Sequence, residues 1–157
     1  MKKSILLLIL LISYSTFSQT KQETIDWLNV KLKENSDSFM GEFKIEINNN
    51  SDWGETLLIT QKIQNSIMNK SYYYSFLAKN IESVVTTSKY RTDGKLGILI
   101  SAKGENIYLN NNEFVDEIKI YCLPTSDDTI IRMQKGIIHL LNLMGNPLKA
   151  PKELFKD

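Results

Sequence analysis

Residues 126–145, SDDTIIRMQKGIIHLLNLMG, decide how this chain folds. Their apolar residues recur every three or four positions, which predicts a long amphipathic helix with one broad apolar face. Asp127 and Asp128 suit the first turn, since the helix dipole favours anions there, and Ser126 is a typical cap. Gly145 is typical of a helix end. Gly136, in mid-helix, predicts a close approach of the helix to a strand. Such a helix needs a large apolar surface to cover, and the preceding residues must supply it.

That surface is predicted to be β-structure. Phe43, Ile45 and Ile47 alternate with charged residues, the pattern of a half-buried strand. Asn48–Asn50 and Asn110–Asn112 lie between apolar runs and predict turns, because Asn tolerates left-handed backbone angles. Proline is absent between Gln19 and Leu123, as a continuous hydrogen-bonded ladder requires. About seven strands are predicted, near residues 42–47, 56–63, 71–78, 83–90, 96–102, 106–109 and 114–122, with a tight turn at Asp93-Gly94 before the fifth.

A second helix is predicted before the strands. Thr20 and Glu23 have the T-x-x-E spacing of a capping box, which satisfies free N–H groups at a helix start. Ile25, Leu28 and Leu32 then follow at helical spacing and predict one buried stripe. Trp27 lies outside this stripe, so it either widens the buried face or sits at a contact.

The N-terminus has the three parts of a secretory signal peptide. Lys2 and Lys3 precede the apolar run 5–12, and small, weakly polar residues lead to a cleavage site predicted after Ser18. The apolar run is too short to span a bilayer, which takes roughly 20 residues. We therefore expect a signal peptide over 1–18, one α+β domain over 19–145, and a polar tail over 146–157. The protein is expected to be exported, to the periplasm or the medium, with no membrane span after cleavage.

The net charge of the chain limits the classes of partner that it is expected to bind. Removing Lys2 and Lys3 from the 19 basic residues leaves 17 against 18 acidic ones, a formal charge of −1. A chain with balanced charges has no electrostatic footprint for nucleic acid, so no nucleic-acid partner is expected. No glycine-rich phosphate loop follows a strand, and no cofactor is expected. The sequence does not indicate an oligomeric state.

The residues that usually carry catalysis are few. Cys122 shares strand parity with Ile118 and Ile120 and is predicted to point inward, while His139 is predicted to lie on an exposed polar helix face. A Cys–His pair is therefore not expected, and no nucleophile elbow or zinc ligand set occurs. Asp116 and Glu117 are adjacent on a predicted strand and should face opposite sides. We expect no catalytic residue, no metal site and no enzyme.

Two short stretches resemble a known superfold. Seven strands followed by a C-terminal helix are the element order of pleckstrin-homology-like domains, and residues 76–84 (FLAKNIESV) are similar to a phrase common in their bacterial members. Residues 131–140 (IRMQKGIIHL) are similar to the closing helix of small exported bacterial proteins. The resemblance implies two antiparallel sheets in a partly open barrel, closed by the helix. Residues 41–63 contain only Lys44 and Lys62, so the basic cluster of phosphoinositide-binding members is absent and no lipid function is implied.

The alternatives to this architecture are a helix packed on a single antiparallel sheet, cystatin-like or nuclear-transport-factor-2-like, and a lipocalin-like barrel. Trp53, in a polar loop, and Tyr73, opposite in parity to Tyr72 and Tyr74, are the candidate binding residues. Because no catalytic, metal or cofactor constellation occurs, we expect an exported, non-catalytic binding or envelope-associated module, with a protein or peptide as its partner. A hydrolase using carboxylates at the open end of the barrel is the first alternative, and a carrier of a small apolar ligand is the second.

Overall fold

Antiparallel strands and two helices form the part of the chain that the computed structural model describes, residues 20–36, 39–51, 53–87, 97–110, 112–123 and 127–149. In chain order the elements are α1 (Lys21–Glu34), β1 (Glu42–Ser51), β2 (Gly54–Gln64), β3 (Asn69–Phe76), β4 (Ile81–Thr87), β5 (Gly97–Ala102), β6 (Ile107–Leu109), β7 (Glu113–Val115), β8 (Glu117–Tyr121) and α2 (Asp127–Leu143). A 3-10 turn at Ala78–Asn80 joins β3 to β4. The predicted signal peptide, the turn at Asp93-Gly94 and the cap at Ser126 lie outside the described residues.

The described strands pair in two separate sheets. One has five strands in the order β1-β2-β3-β6-β7, and the other has three in the order β4-β5-β8. All the pairings are antiparallel. The predicted α+β class, mostly antiparallel with one N-terminal and one C-terminal helix, is confirmed. The described strands neither close into a barrel nor form the single sheet of the alternative prediction, and the pleckstrin-homology-like arrangement stays a prediction.

Because side chains alternate along each strand, one face of each sheet packs into the core. In the five-stranded sheet Ile45 lies opposite Ile59, and Ile59 lies opposite Tyr74, so these three side chains share the inner face. In the three-stranded sheet Ile98 lies opposite Ile120, and both are buried. Most of the buried apolar side chains on the strands are isoleucine, whose branched side chain packs well on a pleated surface. The core lies between these inner faces and the helices.

Helix α1 begins at the predicted capping box. Thr20 Oγ1 accepts a hydrogen bond from the Glu23 backbone N–H, and a Glu23 carboxylate oxygen accepts one from the Thr20 N–H. The bond from the Thr20 backbone N–H, and to a smaller extent the Thr20 hydroxyl, hold the pKa of the Glu23 carboxyl below its usual value, because hydrogen bonds to the carboxylate favour its charged form. The predicted stripe is buried, and through it α1 packs on β1 and α2.

Helix α2 lies on β4, β5 and α1. The close approach at Gly136 is therefore to a helix, and the prediction of a strand there was wrong: a β-carbon at position 136 would lie 3.0 Å from Leu28 Cδ2 and 3.0 Å from Trp27 Cζ3. Sequence periodicity defines the apolar face of a helix but not which element covers it. Gly145, with φ +89°, ends α2 in a Schellman motif, in which Asn146 N–H donates to Leu141 O at 2.9 Å.

Carboxamide side chains form hydrogen bonds with the backbone of one edge strand in each sheet. On the β1 edge, the Asn29 amide donates to Ile45 O at 2.9 Å, and its oxygen accepts from Ile45 N–H at 2.7 Å. On the β4 edge, buried Gln134 donates to Val84 O at 2.8 Å. Both side chains come from helices, so each helix provides hydrogen bonds for an edge strand as well as apolar cover.

Two predictions about strand ends were wrong. Residues 48–50 lie within β1, and the turn comes later, where Gly54 adopts a φ of +89°. The predicted seventh strand is broken at Asp116, since Glu113–Val115 pairs with β6 and Glu117–Tyr121 pairs with β5. The chain changes sheets at this point, which a local alternation pattern does not reveal. The turn predicted at Asn110–Asn112 is present, and Asn110 has a φ of 50°.

Candidate functional site

The outer face of the five-stranded sheet carries a group of aromatic side chains. Register places Leu58 opposite Ser75, Ser75 opposite Tyr108, and Tyr108 opposite Phe114, so these residues form one row across four strands on the side away from the core. Tyr73 lies two residues before Ser75 and therefore shares this face, within reach of the row along the diagonal. We call Trp53, Leu58, Tyr73, Tyr108 and Phe114 the aromatic face.

Edge-to-face ring contacts organise one end of the aromatic face. The Trp53 ring centroid lies 5.9 Å from that of Tyr108 at 86°, and the Tyr108 centroid lies 4.5 Å from that of Phe114 at 74°. These are the T-shaped arrangements that aromatic pairs prefer. Trp53 is nonetheless 59% exposed and Phe114 is 52% exposed. The rings are held by one another while much of their surface remains in contact with water.

Tyr73 is positioned by the turn that follows β6. Its backbone N–H donates to Asn110 Oδ1 at 3.0 Å, and its carbonyl accepts from the Asn110 backbone N–H at 2.9 Å. Asn110 thus extends the β3–β6 pairing by one residue, and its φ of 50° turns the chain toward β7. The Tyr73 side chain is 48% exposed, as the parity of residues 72–76 predicted.

Charged residues of both signs border the aromatic face. On β1 and β2 the outward positions include Glu42, Lys44, Glu46 and Lys62, and Glu42 lies opposite Lys62. Lys44 Nζ lies 2.7 Å from Glu46 Oε1, with both side chains about half exposed. This border has no dominant sign, so it does not favour a polyanion or a polycation.

Both candidate binding residues, Trp53 and Tyr73, therefore lie on one face of one sheet. Sequence reasoning missed Tyr108 and Phe114, which complete that face. Their signal is weak because β6 and β7 are three residues long, too short for alternation to be distinctive. The signal that could have identified them is alternation: Tyr108 lies between Ile107 and Leu109, and these two residues point to the opposite side of the sheet.

A cleft of about 450 Å³ opens between the two sheets where β7 passes into β8. Its lining includes three tyrosines and two adjacent carboxylates: Tyr72, Tyr74, Tyr121, Asp116 and Glu117. The carboxylates were predicted to face opposite sides of a strand, but the break at Asp116 brings both to this cleft. Glu117 Oε2 lies 3.2 Å from Lys119 Nζ.

A hydrogen bond links two polar side chains in this cleft. The Tyr74 hydroxyl donates to Gln61 Oε1 at 3.4 Å, and the Gln61 amide donates to Met40 O at 2.8 Å. Burial raises the pKa of the Tyr74 phenol, and the neighbouring Tyr72 and Tyr121 raise it further. The Tyr74 phenol is therefore protonated at neutral pH and acts there as a hydrogen-bond donor.

Cys122 and His139 lie at separate places in the fold. Cys122 directly follows β8, is 1% exposed, and forms an isolated antiparallel β-bridge with Ser36 through its backbone. Burial raises the pKa of its thiol to about 11. His139 is half-buried rather than exposed, because α1 packs across α2 at Gly136 and places Trp27 beside it. It lines a groove between the helices.

Comparisons with known proteins give no match: no protein-family model matches the sequence, and no curated protein or solved structure is significantly similar to it. Within the ranges given above, no three His, Cys, Asp or Glu side chains converge in a way that could hold a metal ion. Neither α1 nor α2 has the length and apolar character needed to cross a membrane. The geometry of this chain is therefore the basis for the functional argument.

Proposed function

We propose that the protein is an exported, non-catalytic binding module that holds a protein or peptide partner on the aromatic face. The observation that carries this proposal is the grouping of Trp53, Tyr73, Tyr108 and Phe114 on the solvent side of one sheet. Monomeric proteins seldom leave large apolar side chains contiguous and exposed, and such patches mark interaction sites. The proposal includes the pleckstrin-homology-like architecture, which the pair of antiparallel sheets and the packed C-terminal helix support.

A polypeptide suits this face better than other classes of partner. Tyrosine and tryptophan present a broad apolar surface together with a hydrogen-bonding group, and they are the residues most enriched at the energetic centres of protein interfaces. The charged border of Glu42, Lys44, Glu46 and Lys62 has both signs, which matches the mixed charges of a protein surface. Nucleic acid or an anionic lipid surface would require a cationic border instead.

The size of the aromatic face indicates a reversible interaction. Trp53, Tyr73 and Phe114 together expose roughly 300 Å² of side-chain surface, if each ring buries about 200 Å² when fully covered. Covering that area contributes about 7 kcal/mol, from which the loss of rigid-body freedom takes several kcal/mol. We expect a dissociation constant in the micromolar range or weaker, unless the partner extends beyond the aromatic face.

Site-specific photo-crosslinking in the producing cell tests the proposal. A photoreactive phenylalanine analogue replaces Phe114, and in a matched control it replaces Val30, an exposed apolar residue on α1. The expected result is a discrete protein adduct from position 114 that disappears when Trp53→Ala is added. The proposal fails if position 114 gives no adduct, or if positions 114 and 30 give the same adducts.

The cleft supports a second candidate function, a hydrolase that uses carboxylates. The observation that favours it is that Asp116 and Glu117 border the same cleft as three tyrosines, one of which, Tyr74, has a raised pKa. Two carboxyl groups at one cleft suit general acid–base chemistry. Hydrolase screening of the purified protein tests this: turnover lost in both Asp116→Asn and Glu117→Gln would establish the second candidate, and no turnover would dismiss it.

A further inference from the structure

A groove between α1 and α2 has the features of a ligand site that is distinct from the aromatic face. Its volume is about 320 Å³, at the small end of the range for ligand pockets. The lining residues come from both helices: Thr24, Trp27, Arg132, Lys135, Gly136 and His139. A groove of this size accommodates a small molecule rather than a protein surface.

The polar side of the groove is formed by two cationic side chains, those of Arg132 and Lys135, and the imidazole of His139. Arg132, Lys135 and His139 are spaced at i, i+3 and i+7 on α2, so they share one face of the helix. Arg132 forms no ion pair with any side chain that the structure describes. Asp128, one turn earlier, is exposed and does not line the groove. The unpaired guanidinium of Arg132 attracts an anion.

His139 provides an independent observation at the same place. Its Nε2 is buried, and it is the one buried side-chain polar atom without a hydrogen-bond partner among the described residues. Buried polar atoms are nearly always paired, so an orphan atom indicates a partner that the protein alone does not provide. His139 also lines the groove, so this unpaired nitrogen belongs to a side chain at the site.

The other side of the groove is apolar. Trp27 is 38% exposed although its ring packs over Gly136, where a β-carbon would come within 3.0 Å of Trp27 Cζ3. The absence of a side chain at Gly136 lets the Trp27 ring lie directly against α2. The exposed indole therefore offers a surface on which an aromatic or aliphatic group can pack next to the cationic residues.

We propose that the groove between α1 and α2 binds a small organic anion, with its charged group near Arg132, Lys135 and His139 and its apolar body against Trp27. The site is independent of the aromatic face, which lies on the outer side of the five-stranded sheet. The proposal can therefore fail or succeed whatever partner the sheet binds.

The test uses three probes of one shape and different charge: benzoate, benzamide and benzamidinium. Each is titrated into the purified protein while NMR follows the indole N–H signal of Trp27 and the ring signals of His139, with the Trp53 indole as an internal control. Benzoate is expected to shift both groove signals to saturation and to leave Trp53 unchanged. Benzamide is expected to bind about ten-fold more weakly, and benzamidinium more weakly still, because only benzoate can form an ion pair with Arg132.

Variants identify the source of the charge preference. Arg132→Gln is expected to weaken benzoate binding about five-fold, the upper end for a partly exposed ion pair, and to keep the circular dichroism spectrum of the native protein. Lys79→Gln, at an exposed lysine of the 3-10 turn, is the matched control and is expected to change nothing. The proposal is overturned if benzamide binds as tightly as benzoate, if Arg132→Gln binds benzoate normally, or if the Trp27 and His139 signals do not move.

Discussion

Asn146 is the residue whose replacement we expect to destabilise the fold most clearly. It is 9% exposed, and its side-chain amide donates to Ala78 O at 2.7 Å and to Ile81 O at 2.8 Å. These carbonyls flank the 3-10 turn that links the two sheets, and Asn146 immediately follows the glycine that ends α2. One side chain thus fastens the end of the helix to the junction between the sheets.

The magnitude follows from the two hydrogen bonds that Asn146→Ala removes: Ala78 O keeps its bond from the Ile81 N–H, whereas Ile81 O loses its donor from Asn146. A buried acceptor that loses its partner costs about 1–3 kcal/mol, and water entering the vacated space recovers part of this. We expect a loss of about 2 kcal/mol in the free energy of unfolding, which lowers the melting temperature by roughly 6 °C for a domain of this size. Asn146→Asp keeps the size but removes both donors, so its loss at neutral pH should be at least as large.

Urea and thermal unfolding, followed by circular dichroism, measure these losses. Asn142→Ala is the matched control, because Asn142 is exposed in the last turn of α2 and its side chain makes no hydrogen bond within the described part of the chain. We expect this control to change the free energy of unfolding by less than about 0.5 kcal/mol. The reasoning is refuted if Asn146→Ala is no more destabilising than Asn142→Ala.

Three further predictions concern other parts of the fold. Burial raises the pKa of the Cys122 thiol to about 11. Cys122 should therefore react with a thiol reagent at pH 8 roughly 100-fold more slowly in the native than in the unfolded protein. Equal rates would show that the thiol is exposed. Gly136→Ala should lower the free energy of unfolding by about 1 kcal/mol despite its gain in helix propensity, because buried Leu28 has no space to move; a more stable variant in urea unfolding would contradict this. Asn110→Ala should lower the free energy of unfolding by about 1–2 kcal/mol, because it removes the hydrogen bond from Tyr73 N–H and strains a positive φ. Asn110→Gly should lower it less, because glycine adopts a positive φ without strain. If urea unfolding showed the glycine variant to be the less stable of the two, this explanation would be wrong.

The sequence predicted those features that depend on neighbouring residues. The capping box at Thr20, the alternation in β1, the exposure of Tyr73, the burial of Cys122 and the helix end at Gly145 all follow from short-range patterns, and the structure confirms them. Each needs only the period of a helix or a strand and the chemistry of a few side chains.

The features it did not predict depend on pairing between distant segments. The change of sheet at Asp116 and the pairing of β3 with β6 require knowledge of which strands become neighbours. The half-buried position of His139 depends on α1 crossing α2, and Asn146 fell in a region predicted to be a polar tail. For the same reason the sequence predicted only Trp53 and Tyr73 of the aromatic face, since Tyr108 and Phe114 reach it through long-range strand pairing.

The most direct test of the central claim is to map where a bound peptide contacts the protein. Peptides selected from a displayed library for binding to the purified protein are titrated into isotope-labelled protein, and the shifted backbone amide signals are assigned. The account predicts that the shifts cluster on β3, β6, β7 and Trp53. The double substitution Trp53→Ala with Tyr73→Ala should weaken peptide binding about ten-fold or more. Val85→Ala, at an exposed apolar residue of the other sheet, should leave peptide binding unchanged. Shifts that cluster elsewhere, or binding that survives the double substitution, would contradict it.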